Sequence, residues 1–304
     1  MSFVSWNDSR MSLHVSPATP DELVAASLRL FPNAPDPVQV AENFRLMIAA
    51  GDVEPNAFWV AREGSAIVGA MFAYRIGGGQ GAVWVPRADR VDIEDALVGA
   101  TFAWFRLNGV RLVQAVLDED DCPHATALER AGMRYVTEIV FATRTMQPSL
   151  PRGESQLIIQ AIPSSYSELP TLLLRTYEGT FDLPELNGTR TASDIISAYE
   201  TGWNDETPLW FLAERAGVAV GVLTLSLQPD RTIELTYLGL VPEARGRGFG
   251  DEILQYALDR ATVEMAYAIH LSIDARNAPA LRLYRKHGFD ETARRKVYLA
   301  IGIG

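Results

Sequence analysis

The stretch "VPEARGRGFGDEIL", Val241 to Leu254, sets Arg245 and Arg247 among Gly246, Gly248 and Gly250 and then runs into an apolar-periodic segment. Glycines let a backbone approach a ligand closely and two guanidiniums favour an anion, so the chemistry on offer is recognition of phosphate. A helix starting near Gly248 turns unpaired N–H groups and the positive end of its dipole toward the same place. Taken alone, the loop suits a nucleic acid, a nucleotide or some other phosphate. A net charge of −11 opposes a polyanion, and no concentrated basic face stands out. A dinucleotide fingerprint starting at Gly246 needs glycine at 251, where Asp251 stands, and a Walker loop needs a lysine followed by serine or threonine. Both nucleotide patterns fail.

Other reactive side chains organise into nothing comparable. Cys122 is the single cysteine, which excludes an intramolecular disulfide framework and a cysteine-rich zinc site. Its setting, "DEDDCPH", with Asp121 and His124, reads as a polar loop before a helix, and no metal is expected. His14, His124, His270 and His287 are scattered and read as structural, and no serine-histidine-aspartate arrangement emerges. With 48% hydrophobic and 21% charged residues the composition is that of a soluble globular protein. No apolar run approaches the roughly 20 residues that span a bilayer, and "MSFVSWNDSRMSLHV" has no basic region followed by an apolar block. The expectation is a cytoplasmic protein, monomer or homodimer, with no nucleic-acid or membrane partner.

The elements that must position the loop come twice. "TMQPSLPRGESQ", Thr145 to Gln156, lacks periodicity and is the natural linker, giving domains at 1–150 and 151–304. "FWVAREGSAIVGAMFAY" from Phe58 lies over "WFLAERAGVAVGVLTLS" from Trp210, each reading as two strands and a tight polar turn. Val85 falls on Val241 and Gly132 on Gly288 with the same offset of 156 residues. In the second half strands are expected at about Gln156–Ala161, Leu209–Arg215, Val218–Gln228, Ile233–Val241, Ala268–Ile273 and Glu291–Ala300. Helices are expected at about Ser167–Glu178, Ala192–Thr201, Gly248–Val263 and Ala278–His287. Strands alternating with helices after an antiparallel start imply an α/β fold with a twisted mixed sheet flanked by helices, built once in each half.

"LGLVPEARGRGFG" resembles the acetyl-CoA signature of the Gcn5-related N-acetyltransferases, V-x-P followed by Q/R-x-x-G-x-G/A, with Leu240 in the valine position and Pro242, Arg245, Gly248 and Gly250 matching. "RNAPALRLYRKHGF", Arg276 to Phe289, resembles the family's later signature of asparagine, a helix ending in tyrosine, then glycine-phenylalanine. The resemblance covers Gln156 to Gly304 by motif and Met11 to Met146 by topology. In the first half Asp89, Asp92 and Glu94 stand where Arg245, Gly248 and Gly250 stand in the second, and Leu128 replaces Tyr284. Carboxylates repel a pyrophosphate, so this copy reads as a degenerate, structural half.

The resemblance implies acetyl-CoA as cosubstrate, held by Leu238, Gly239, Leu240, Val241, Arg245, Gly246, Arg247, Gly248, Phe249, Gly250 and Asn277, with both arginines on phosphate oxygens. The strand at Leu238–Val241 would splay from its neighbour and pair with the pantetheine arm, Gly239 permitting a bulge. An N–H near Leu240 would polarise the thioester carbonyl. Tyr284 holds the general-acid position and is alternatively a core tyrosine. Glu234 holds the base position and is alternatively a surface carboxylate; in an alternating strand it shares a face with Thr236 and Leu238. Asn277 would touch pantetheine, cap its helix, or both. The acceptor wall is "RTYEGTFDLPELNGTRTASD", with Tyr177, Glu178, Asp182, Asn187 and Arg190, joined by Tyr237, its carboxylates suited to a cationic group and Thr191 capping the next helix. Trp210 reads as core. The implied activity is acetyl transfer to a primary amine of a small molecule by direct attack. Its rivals are transfer to a protein N-terminus or lysine, and a non-catalytic acyl-CoA-binding module.

Overall fold

The computed structural model describes residues 12–51, 53–146, 155–200 and 209–303; most of the linker and Thr201 lie outside the described residues. The first half runs β1 (Leu13–Pro17), α1 (Leu23–Leu30), α2 (Pro37–Ala50), β2 (Phe58–Glu63), β3 (Ala66–Ile76), β4 (Gln80–Val83), β5 (Arg87–Ala88), α3 (Val91–Leu107), β6 (Leu112–Leu117), α4 (Thr126–Arg130) and β7 (Arg134–Thr145). The second runs β8 (Ile158–Ile162), α5 (Leu169–Tyr177), α6 (Ala192–Glu200), β9 (Leu209–Arg215), β10 (Val218–Leu227), β11 (Thr232–Leu240), α7 (Phe249–Val263), β12 (Ala268–Asp274), α8 (Ala278–Lys286) and β13 (Asp290–Ile301). Every element expected in the second half occurs, with ends displaced by one or two residues. Among the described residues no helix is long and apolar enough to cross a membrane.

Sequence periodicity explains the local choices. In α7, Phe249, Ile253, Leu254, Ala257, Leu258 and Ala261 recur at helical spacing and are buried, each large side chain worth about 1.5–3 kcal/mol. The α2 helix starts with Asp36 accepting from the Gln39 N–H and stops at Gly51, φ 91°. Strands β9 and β10 are joined at Ala216–Gly217, both with positive φ, the tight turn a hairpin needs.

The sheet is where the repeat departs from two separate copies. Its strands follow the order β1-β2-β3-β4-β6-β13-β7-β12-β11-β10-β9-β8, with β5 pairing β3 off this path. The last strand of the second half, β13, enters the first half's sheet, with Val297 opposite Val116 of β6 and opposite Thr137 of β7. The last strand of the first half, β7, pairs with β12. Each half thus completes the other's sheet, and one continuous sheet replaces the two that the repeat suggested. Exchange covers edges that two separate sheets would leave open to other chains.

The exchange creates a seam. Leu112 and Val116 of β6, Val297 and Leu299 of β13 and Ile139 of β7 pack together, and on them sit Leu183 and Leu186 from the α5–α6 connection. On the second half's sheet, α5 and α7 both pack against β10 and β11. They lie on opposite faces, as Tyr177 of α5 stacks on Tyr237 while Ile253 of α7 meets Gly221.

Candidate active site

Strands β11 and β12 pair in parallel only from Thr232, Ile233 and Glu234 to Ala268, Ile269 and His270. Beyond that point β11 stays with β10 as far as Leu240 and β12 stays with β7 as far as Asp274, so the two part company. The inner edge of β11 is left uncovered. The Val241 N–H donates to the Val220 carbonyl on β10 at 3.0 Å, so by alternation the N–H groups of Leu240 and Leu238 point the other way, into the gap.

The bulge in β11 lies at Thr236, not at Gly239. Register passes from Leu225 opposite Leu235 to Thr224 opposite Tyr237, leaving Thr236 as the extra residue. One inserted residue reverses the alternation beyond it. Glu234 therefore shares its face with Tyr237, and Leu238 turns to the α7 face, correcting the simple alternation that grouped Glu234 with Leu238. Gly239 has a different purpose: a Cβ there would lie 2.4 Å from the Tyr237 hydroxyl, so the glycine makes room for that ring.

At the end of β11 the chain turns through Gly246, φ 71°, and Gly248, φ 84°, into α7. Five successive N–H groups, Gly246 to Gly250, have no acceptor among the described residues. Such a run at a helix N-terminus is a nest for an anion. The arginines divide the labour otherwise than expected. Arg245 turns inward: its guanidinium donates to the carbonyls of Leu240 (3.1 Å), Gly179 (3.1 Å) and Thr176 (3.0 Å). The carbonyls at the end of α5 lack helical partners and need a donor, and Arg245 supplies it, bracing the loop against the end of α5. Arg247 is exposed, with no ion-pair partner among the described residues. Phe249 is buried, and a Cβ at Gly250 would reach Leu283 only at ordinary contact distance, 3.4 Å.

Asn277 caps α8, its side chain accepting from the Ala280 N–H at 3.3 Å. On that helix Tyr284 is buried, edge-on to Phe289 with ring centroids 5.6 Å apart. Burial, then the charge of Asp182, pushes its phenol well above the usual tyrosine range. The ends of α7 and α8 are tied by Asp251, which meets Lys286 and, at 3.1 Å, His287.

The opposite wall is aromatic and acidic. Tyr237 stacks on Tyr177 at 5.2 Å, and its hydroxyl is 2.7 Å from Thr176 Oγ1. The Tyr177 and Tyr199 hydroxyls meet at 2.8 Å, and Tyr199 packs edge-on to the buried Trp210. Tyr177, Glu178, Asn187 and Arg190 line one cavity of about 170 Å³ with Leu174, Leu186, Gly188 and Ile195. Arg190 lies over the Tyr177 ring, and Asn187 is partly structural, donating to the Tyr177 carbonyl at 3.3 Å. Thr191 caps α6 through the Asp194 N–H, as expected.

Two carboxylates face this wall. Glu234 is exposed, yet neighbouring protein partly desolvates it and raises its carboxyl, while nearby His270 opposes the rise. Asp182 is pushed up to about 6, first by burial, against a hydrogen bond from the Asp274 N–H and with Asp274's charge adding to the rise. Sequence reasoning passed over both His270 and Asp274. His270 stands beside Glu234 in register and its Nδ1 is 2.7 Å from Thr143 Oγ1. Asp274 is fully buried between the two halves; only its position just before Arg276 and Asn277 hinted at it.

Comparison with known proteins agrees with this geometry. Residues 173–289 match the acetyltransferase (GNAT) family. Curated relatives include a mycothiol acetyltransferase of Thermomonospora curvata, 34% identical over 181 residues, and one of Beutenbergia cavernae, 27% identical over 190 residues. Each alignment covers 57% of this chain, and the chain spans 59% and 62% of those two relatives. A GCN5-related N-acetyltransferase from Sphaerobacter thermophilus superposes with a TM-score of 0.62 over 95% of each chain at 15% identity. A tandem GNAT protein from the clavulanic acid biosynthesis pathway superposes with a TM-score of 0.54, over 96% of this chain and 99% of its own, at 16% identity. The strand-loop-helix cradle and the comparisons thus lead to one conclusion: over residues 173–289 this chain is similar to the GNAT acetyltransferases, and its full-length fold is that of solved tandem GNAT proteins.

Proposed function

We propose that the second half moves acetyl from acetyl-CoA to a primary amine of a small molecule, by direct attack within a ternary complex. The observation that carries this reading is the run of free N–H groups from Gly246 to Gly250 at the end of a strand that has parted from its neighbour. A pyrophosphate fits the run of donors, and an extended pantetheine arm fits the uncovered edge of β11 as an added strand. The Leu240 N–H then meets the thioester carbonyl, where a donor of this kind stabilises the transition state by about 2.7–4 kcal/mol.

The amine approaches from the Tyr177, Tyr237 and Asp182 side. A phenol held above its usual pKa is a reluctant acid, so Tyr284 donates to the departing thiolate as that charge develops, and not before. Glu234, at the point where β11 and β12 separate, passes a proton from nitrogen toward solvent. The relatives named mycothiol acetyltransferase favour a small-molecule acceptor over a polypeptide, as does the modest size of the Tyr177–Arg190 cavity. Calorimetry with acetyl-CoA, followed by thiol release on adding amines, tests the proposal. Binding without release by any amine would reduce the protein to an acyl-CoA-binding module.

A further inference from the structure

Resting on that reading, we propose that Asp182 docks the acceptor's ammonium group and takes the first of the two protons it must lose, and that Asp274 and Thr137 hold it in place. The first half, which lost its own cradle, thereby supplies part of the second half's acceptor site.

A reciprocal clip joins Asp182 and Leu183 to Asp274. The Asp274 N–H donates to Asp182 Oδ1 at 3.1 Å, and the Leu183 N–H donates back to Asp274 Oδ2 at 3.0 Å. Leu183 sits at φ 42°, ψ 58°, a left-handed conformation that a leucine adopts only under constraint. The clip provides that constraint, aided by Leu183 and Leu186 packing on the exchange seam. Asp274 is anchored in turn by the Thr137 hydroxyl of β7 at 2.7 Å and by the Arg276 N–H at 2.8 Å. Arg276 also grips Glu185 with two nitrogens, at 2.6 and 2.8 Å.

This wiring sorts the acidic residues of the connection. Glu185 is neutralised by Arg276, and Asp194 by Arg111 of the first half. Among the described residues Asp182 has no cationic side chain bonded to it; only one of its oxygens is occupied, and by a backbone N–H. The groups around it are Asp274 at the end of β12, Arg276 just after it, Tyr177 on α5, Tyr237 on β11 and Tyr284 on α8, and its charge bears on all three tyrosines. A half-buried carboxylate among phenols is a site for an ammonium ion.

Proton balance gives it work. The ammonium transfers one proton to the Asp182 carboxylate, leaving a neutral amine whose lone pair forms the C–N bond to the thioester carbon. Collapse of the tetrahedral intermediate breaks the C–S bond; sulfur keeps the electron pair and receives the Tyr284 proton. The second proton on nitrogen leaves through Glu234 to solvent, and the Asp182 carboxyl reprotonates the Tyr284 phenolate. Both side chains return to their starting states with one proton released.

The test is Asp182→Asn in the full chain, with thiol release followed for glucosamine, ethanolamine and spermidine. Asparagine keeps an oxygen for the Asp274 N–H, so the clip survives. With the amine that wild type uses best, kcat/KM should fall at least about 100-fold while the KM for acetyl-CoA is kept. The loss of rate that wild type shows on acidification through about pH 6 should disappear. A variant within threefold of wild type, with the same pH profile, overturns the role of Asp182 and leaves the acetyltransferase reading intact. A wild type silent with all three amines overturns this assignment together with that reading. Thr137→Val should raise the KM for the amine without changing acetyl-CoA affinity; equal effects on both would assign Thr137 to general packing.

Discussion

Equivalent positions lead into the long helix of each half, and the backbone there is built differently: α3 follows an extended Arg90, whereas α7 follows two left-handed glycines. Before α7, Gly246 and Gly248 take left-handed conformations and five N–H groups have no acceptor among the described residues. Before α3, the position of Gly248 is Asp92, whose exposed carboxylate pairs with Arg90, while the N–H groups of Ile93 and Glu94 bond back to the Arg90 carbonyl. The first half sets a carboxylate on the first turn of its helix, whereas the second has glycine there. Arg245 and its counterpart Asp89 differ in the same spirit. Arg245 draws the end of α5 onto the loop through three carbonyls, while Asp89 makes an exposed ion pair with Arg29 of α1. The first half also supports its neighbour: through β7 and the seam it holds the α5–α6 connection in place.

Writing the first half's residues into the second should break this contrast most severely. Gly248→Asp with Gly250→Glu puts two carboxylates at the nest and a side chain at φ 84°, so acetyl-CoA affinity by calorimetry should fall at least about 100-fold. Unchanged affinity would sink the cradle. Tyr284→Phe, approaching the first half's Leu128, should lower turnover by about 30- to 100-fold with acetyl-CoA affinity nearly kept. Matching losses in both would make Tyr284 a packing residue.

Arg245→Ala leaves three carbonyls without a charged donor, at a cost of about 2–4 kcal/mol, visible as a drop of several degrees in Tm. A large loss of acetyl-CoA affinity with unchanged Tm would instead put the guanidinium on phosphate. Asp182→Asn sharpens the contrast in the other direction. A carboxyl raised to about 6 is ionised above that pH at a cost to the fold, and the cost vanishes below the unfolded value, 3.8. The variant should therefore be more stable than wild type at pH 7.5 by about 1–2 kcal/mol in denaturant unfolding, with the gap closing below about pH 4. A destabilised variant at pH 7.5 would contradict this. Asp89→Ala, cutting an exposed pair, should change stability by no more than about 0.5 kcal/mol; a larger loss would give the first half's turn a structural weight that its geometry does not suggest.

How much could be read without coordinates depended on the range over which each feature is encoded. Gly246, Gly248, Pro242, Asn277 and the α7 stripe act on residues a few positions away, so spacing alone located the cradle and the capped helix. The direction of Arg245 could not be read, because its partners Thr176 and Gly179 lie nearly seventy residues upstream. The face of Glu234 was misjudged because a bulge at Thr236 is set by pairing with β10 and leaves no local mark. Asp274 and His270 looked ordinary because their importance comes from Thr137, Leu183 and Glu234, brought beside them by strand pairing.

The sequence by itself determined that this chain is a repeat, that the sheet is mixed with helices around it, and that the glycine-arginine loop stands only in the second copy, with carboxylates at its place in the first. Those properties follow from periodicity, turn residues and charge, all of which act locally. Tertiary structure decided that the two copies trade their last strands, that Arg245 faces inward, and that Asp182 is held by a residue of β12 anchored to β7. Long-range pairing brings these groups together, and its energy lies in contacts between segments that no local pattern links.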